Sequence, residues 1–174
     1  TLGVTEKEAL AIHKGYENTY AGYRIWKQRT EQFAVRNKYV RTIFGRIRRL
    51  PDINKQGGAY FAELRRAVNT SIQGAAADLI KLAMIKTHEE FKRKKLDAHL
   101  LLQVHDELLG EASIDCVCEA YDTMCDIMKN IVKLKVPLEV DGKIMHNWKQ
   151  MKDDSFESLY NSLKQQNTFP VWIL

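Results

Sequence analysis

The segment from Gly58 to Lys95 constrains the fold most. Phe61, Leu64, Val68, Ile72, Ala75, Leu79, Leu82 and Ala83 fall on one side at helical spacing, which predicts one long helix with that stripe in a core. Arg65, Asn69 and Gln73 follow each other at i, i+4 and i+8, a polar row beside the stripe. Gly74-Ala75-Ala76-Ala77 keeps the helix thin, so that something can pack close there.

The flanking segments read as shorter elements. Thr5-x-x-Glu8 is a capping box and places a helix start at Glu6. Ala21-Gly22 bends or breaks that helix, and a second one runs from about Tyr23 to Arg36. Asn37-Lys38 is a turn, Tyr39 to Phe44 a strand by its β-branched and aromatic content, and Gly45 turns the chain. Beyond the long helix, Leu100–Val104 and Leu108-Leu109 flank His105-Asp106-Glu107. They predict a hairpin whose first strand is buried and whose bend carries two adjacent acids. Asp115 is placed to cap a further helix, with Val117, Tyr121, Met124, Met128, Ile131 and Val132 on its apolar face. Val136–Val140 begins a last strand, Trp148 caps the core, and residues 153–174 form a polar tail with an apolar end, Phe169–Leu174, that docks on something. The order of elements predicts an α+β fold, an antiparallel sheet packed by long helices.

Composition excludes several classes. With 45% hydrophobic and 28% charged residues in 174, the chain is not disordered, and it can bury a real core. It has no apolar run long enough for a transmembrane helix, and Thr1–Thr5 does not begin a signal peptide. Three cysteines, Cys116, Cys118 and Cys125, make no disulfide framework and suit a reducing compartment. No histidine stands at ligand spacing from them, so they read as structural rather than zinc-binding. The net charge is +5, but Arg24–Lys55 holds ten Lys or Arg against Glu31 and Asp52, a local +8 that leaves −3 elsewhere. Such asymmetry suits a polyanion held on one side; a solvated basic helix face is the alternative.

Two constellations carry chemistry. Asp106-Glu107 at the end of an apolar strand can hold a divalent metal, because magnesium takes one or two carboxylates and completes its shell with substrate phosphates. An acidic turn is the plainer reading. The row Arg65, Asn69, Gln73 can reach minor-groove acceptors, which are nearly alike for all base pairs. It also fits a polar shoulder on a core helix.

Taken together, these segments resemble family A DNA polymerases of the bacterial DNA polymerase I type. Arg65-Arg-Ala-Val-Asn69-Thr-Ser-Ile-Gln73-Gly-Ala-Ala-Ala-Asp78 is similar to the long palm helix of that family, and Leu101-Leu-Gln-Val-His105-Asp106-Glu107-Leu-Leu to its motif C. Tyr39–Arg46, Leu50–Ile53, Val136–Val140 and Asn147-Trp148 match further blocks in the family order, so the resemblance covers roughly residues 1–152. It implies three regions: the end of the fingers helices over 1–36, a palm with motif C over 37–152, and a C-terminal tail of unassigned role over 153–174.

The resemblance also implies template-directed nucleotidyl transfer with Mg2+. Asp106 would be the metal ligand, Glu107 would sit beside it in a lesser role, and His105 would help place the primer 3′ end. Arg65, Asn69, Gln73 and Arg46 would contact primer-template DNA. Deoxynucleoside triphosphates would be the substrates, no membrane would be involved, and the setting would be the cytoplasm of a bacterial or phage-infected cell. Departures matter as much. Ile47 stands where the family has Arg, and Ser71 replaces a Pro. The family's second catalytic Asp, in motif A, and its nucleotide-binding fingers helix have no counterpart in these residues. The chain is therefore expected to be inactive alone and to need a second polypeptide carrying motif A and the fingers, as in a split phage polymerase, or else to be a fragment. That partner is expected to add a strand along the open edge at Leu101–Val104. A non-catalytic DNA-binding or interaction protein that reuses a palm fragment is the alternative. Retention of Asp106 beside Arg65, Asn69 and Gln73 favours the enzyme.

Overall fold

The computed structural model describes residues 3–145 and 171–173. The chain divides into two compact units, Thr1–Ala75 and Ala76–Leu174. The expected cap of Trp148 on the core, and the tail from 153 to 170, lie outside the described residues.

In the first unit, helix α1 (Glu6–Thr19) starts at the capping box read from sequence. The Thr5 amide donates to Glu8 Oε2 at 2.8 Å and the Glu8 amide to Thr5 Oγ1 at 3.4 Å. Hydrogen bonds from Thr5 hold the Glu8 carboxyl below its ordinary value, so the box is intact at neutral pH and is lost only as pH falls through that lowered pKa. The chain breaks at Tyr20 (φ −108°, ψ 63°), and α2 runs from Ala21 to Asn37. It ends on Lys38, which takes the left-handed conformation at φ 63° and donates its amide to Ala34 O at 2.8 Å.

The strand expected over Tyr39–Phe44 is shorter. β1 (Tyr39–Arg41) pairs antiparallel with β2 (Ile47–Arg49), and Thr42–Gly45 forms the turn between them. The Gly45 amide donates to Thr42 O at 2.9 Å with Gly45 at φ 85°, so Ile43 and Phe44 sit in an exposed loop despite their strand preference. Ala34, Val40, Leu50, Ile53 and Ala67 form the core here, with Tyr60 and Leu64 against it.

The long helix is present as α3 (Gly58–Lys94), but its single apolar stripe is not. Phe61, Ile72 and Leu82 are exposed, while Glu63, Ala67, Val68 and Thr70 are buried in the first half and Ile80, Ala83, Thr87 and Phe91 in the second. The stripe assumed one core along the whole helix. Two cores exist, and each half of α3 buries the line that suits its own unit.

In the second unit, β3 (Ala98–Val104) and β4 (Glu107–Ala112) make the expected hairpin, followed by α4 (Val117–Asn130), β5 (Ile144–Met145) and β6 (Val171–Ile173). The antiparallel sheet has the order β3-β4-β6-β5. Together with the helices it gives the α+β class expected. Leu108, Ala112, Val117, Ala120, Met124, Phe91 and Ile144 form the core with α3 residues.

Three expectations are corrected. Leu101, Leu102 and Val104 are exposed rather than buried, because β3 is an edge strand and the apolar burial falls on β4 instead. Asp115 does not cap α4; the N-cap is Cys116, one residue later, with no side-chain cap. Val136–Val140 forms no strand, since Pro137 lacks a ladder donor and Val136 stays exposed; pairing begins only at Ile144. In the last turn of α3, Lys94 ties that helix to α4. Its ammonium donates to Thr123 Oγ1 at 2.9 Å and pairs with Glu119 at 3.1 Å.

The two strands of the hairpin therefore differ sharply in what they stabilise. Leu108→Ala removes a side chain left only 1% exposed, and we expect it to cost about 2–5 kcal/mol. Leu102→Ala, at 46% exposure, should cost less than about 1 kcal/mol. Urea unfolding midpoints of the two variants check this, and equal losses would contradict the assignment of β3 to the edge.

Candidate catalytic and nucleic-acid site

In the first unit the basic residues gather where the β1–β2 turn meets α3. Arg46 Nη2 donates to the Gly74 carbonyl at 2.9 Å. A Cβ on Gly74 would lie 2.9 Å from Thr42 Cγ2 and 3.3 Å from Arg46 Nη2, so glycine is what lets the turn approach the helix. The thin stretch read from sequence is thus used at Gly74. The contact borders a depression of about 480 Å3 lined by Arg46, Arg48, Arg66, Asn69 and Gln73, with Ile47 on its wall. Among the described residues no carboxylate lines it, so its arginines give an open cleft that favours an anion.

Of the residues singled out, Arg46, Asn69 and Gln73 share this cleft, while Arg65 is exposed on α3 outside its lining. Sequence reading missed Arg48 and Arg66. The signal for Arg48 was present in the basic run. Arg66 gave none, because its neighbour Arg65 fits the i, i+4 row and Arg66 does not. Arg66 is also half engaged, with Nη1 at 2.8 Å from Oε1 of the buried Glu63.

In the second unit, Val104 pairs with Glu107 and leaves only His105-Asp106 as the loop of the hairpin. His105 takes φ 54°, a conformation that favours glycine at the first position of such a turn. The Gln103 side-chain amide donates to the His105 carbonyl and braces it. Asp106 is therefore carried at the tip of a two-residue loop, exposed, with Glu107 as the first residue of β4.

Behind the tip, Asp106, Glu107 and Leu108 line a groove of about 480 Å3. Glu139, Asp141 and Lys143 stand in its wall with Met124 and Met128. Cys125 also lines it, and burial pushes its thiol pKa up, which makes it an inert structural cysteine. Glu139, Asp141 and Lys143 were not read as site residues, because nothing in their spacing ties them to Asp106. Asp106 and Glu107 offer oxygen donors suited to Mg2+. Among the described residues no group of three or more His, Cys, Asp or Glu side chains is placed to hold a metal. This donor set fits a magnesium that takes one or two protein carboxylates and completes its shell elsewhere. Among the described residues no helix is long and apolar enough to cross a membrane.

The profile of DNA polymerase family A matches residues 1–150. The chain is 40% identical over 154 residues to a thermostable DNA polymerase I of Thermus filiformis, covering 88% of this chain and 18% of that protein. It is 40% identical over 151 residues to DNA polymerase I of Chloroflexus aurantiacus, covering 86% of this chain and 16% of that protein. The chain thus spans less than a fifth of the length of these relatives. Its fold is similar to the POL domain of Pol1 from M. smegmatis, solved in complex with DNA primer-template and dNTP, with a TM-score of 0.76 and 36% identity over 80% of this chain and 25% of that one. A profile match over most of its length and a shared fold together place this chain in DNA polymerase family A.

Proposed function

We propose that this chain supplies part of the palm of a template-directed DNA polymerase: the motif C carboxylate and a share of the primer-template contacts. Residues 1–36 act as the end of the fingers helices and 37–152 as the palm. The observation that carries the reading is the hairpin tip. A two-residue loop with a left-handed His105, braced by Gln103, fixes Asp106 at one point in a chain of this family. Backbone strain of this kind persists where the surroundings over-determine it, as a site that must hold a ligand to within fractions of an ångström requires.

In this reading Asp106 is the metal ligand, Glu107 lies beside it in a lesser role, and His105 contacts the primer 3′ end. Bound Mg2+ supplies charge stabilisation for the attacking 3′-hydroxyl and the leaving pyrophosphate of a deoxynucleoside triphosphate. The protein's own share is positioning. The cleft formed by Arg46, Arg48, Asn69 and Gln73 binds primer-template backbone, and the exposed Arg65 extends the track. Guanidinium groups fix the duplex without choosing sequence. The second carboxylate, which the family carries in motif A, and the nucleotide-binding fingers lie outside these residues and complete the site. A half site of this kind does not turn over alone. Support comes from the M. smegmatis neighbour, whose structure holds primer-template and dNTP.

Three outcomes are expected. Primer extension by the purified chain alone should be absent; steady extension free of contaminating polymerase would overturn the half-site reading. With the completing polypeptide present, Asp106→Asn should lower extension about 100-fold or more, equivalent to ~2.7 kcal/mol of transition-state stabilisation. Primer-template affinity should stay within a few-fold, and Glu107→Gln should cost much less. Near wild-type extension by Asp106→Asn would remove Asp106 from the metal and leave this chain a DNA-binding role only.

The third outcome concerns the cleft and Arg65 beside it. Arg65→Ala and Asn69→Ala should each weaken duplex binding by about 1–3 kcal/mol, alike for different sequences. Arg48→Ala should reduce the slope of log affinity against log salt by about 0.9, one B-DNA phosphate. Unchanged binding in all three would reduce the cleft to a polar shoulder.

A further inference from the structure

One buried acid has no role in the chemistry above. Glu63 is the charged side chain that the fold buries outright among the described residues, at 1% exposure. It stands on the line Glu63, Ala67 and Thr70, spaced i, i+4 and i+7, that the first half of α3 buries. Ala67 belongs to the apolar core of the first unit. Taking a carboxylate out of water is costly unless a cation and hydrogen bonds meet it. Here they meet only half of it. Oε1 accepts from Arg66 Nη1 at 2.8 Å, while Oε2 is buried with no hydrogen-bond partner among the described residues.

The guanidinium that compensates it is not buried. The Arg66 side chain is 53% exposed and lines the cleft with Arg46, Arg48, Asn69 and Gln73. At 3.6 residues per turn, Arg66 and Gln73 lie about 20° apart around α3, with Asn69 between them along the axis. Arg66 therefore has one nitrogen tied to the core and the rest in a cleft that favours an anion. Its Nε and Nη2 groups make no bond among the described residues. They form one edge of the planar guanidinium, the edge away from Nη1.

We infer that Glu63 is a positioning residue of this cleft: from the core it holds Nη1 of Arg66 and so presents the Nε–Nη2 edge as a fixed fork for two oxygens of one phosphate. That the phosphate belongs to primer-template DNA rests on the proposal above; the orientation of Arg66 by Glu63 does not.

Two parallel N–H groups match a phosphate in a way that an ammonium cannot. An exposed arginine gives up rotamer freedom when it binds, and one that is already held gives up less. The orphaned Oε2 agrees with this role. An acid kept for stability would be satisfied at both oxygens or replaced by an apolar side chain, since a half-satisfied buried carboxylate stabilises little. The price is met at the helix surface, where the pair orients a side chain that the row Arg65, Asn69, Gln73 does not include.

A double-mutant cycle tests this, with wild type, Arg66→Lys, Glu63→Met and the double variant each titrated with the same primer-template duplex at one salt concentration. Lysine keeps the charge and can still neutralise Glu63, but it offers no fork. Methionine keeps the length of residue 63 and releases Arg66. Arg66→Lys should weaken binding at least about fivefold where Glu63 is present, and less than about twofold in the Glu63→Met chain, where the arginine acts only as a point charge. Net charge is unchanged by Arg66→Lys in either background, so a general electrostatic effect drops out. Equal or larger loss in the Glu63→Met background, or no loss in either, would overturn the inference.

Should Glu63→Met fail to fold, NMR of the wild-type chain without DNA decides. The Nη protons of Arg66 should give separate signals, because the bond to Glu63 hinders rotation of the guanidinium, while those of the exposed Arg65 average. Averaged signals for Arg66 would contradict a held fork. Arg48→Ala, measured beside the cycle, separates the two readings. If it weakens duplex binding while the cycle shows no coupling, only the role of Glu63 fails. If it too leaves binding unchanged while the Arg66 signals stay separate, the cleft is not a DNA site and the positioning of Arg66 stands without that ligand.

Discussion

The candidate metal site depends on the closure of one hairpin. Because Val104 pairs with Glu107, two residues must reverse the chain, and one of them is the candidate metal ligand. A longer loop would let the carboxylate wander. Here Asp106 inherits the rigidity of β4, whose Leu108 and Ala112 are locked into the core with α4. The cost is a histidine in a left-handed conformation, offset by the Gln103 side chain that holds its carbonyl. Gly110 serves the same end: a Cβ there would meet the His99 carbonyl at 3.0 Å and push the strands apart.

A second close approach shapes the first unit. The Arg46–Gly74 bond joins the β1–β2 hairpin, whose strands carry Arg41, Arg48 and Arg49, to a helix that is bare of side chain at that point. Any Cβ would force Thr42 and Arg46 to shift. The cleft that results has guanidinium groups and no carboxylate in its lining, which is the charge pattern a duplex backbone needs.

Much of this was legible in sequence, for local reasons. The capping box at Thr5 and Glu8, the turn at Lys38, the long helix and the acid-tipped hairpin all follow from short-range spacing. What failed needed knowledge of neighbours. Phe61, Ile72 and Leu82 look like core on a helical wheel, yet a helix serving two cores does not bury one stripe. Leu101 and Leu102 look buried by composition, but strand order leaves them at an edge. Of the residues lining the two grooves, Asp106, Asn69, Gln73 and Arg46 were singled out by motif. Arg66, Glu139 and Asp141 were not, because only tertiary contact brings them to the two grooves, and Arg48 was passed over inside the basic run. The internal strand Val171–Ile173 had no local signal beyond an apolar ending to a polar segment.

The central claim is that the hairpin tip holds a divalent metal while the chain is engaged with duplex DNA. Titrating Mn2+ into the 15N-labelled chain with bound primer-template, and following paramagnetic broadening of backbone amides, tests it most directly. The account predicts that His105, Asp106 and Glu107 broaden first, and that Asp106→Asn removes the effect while the DNA stays bound. Broadening centred elsewhere, or unchanged in Asp106→Asn, would contradict it.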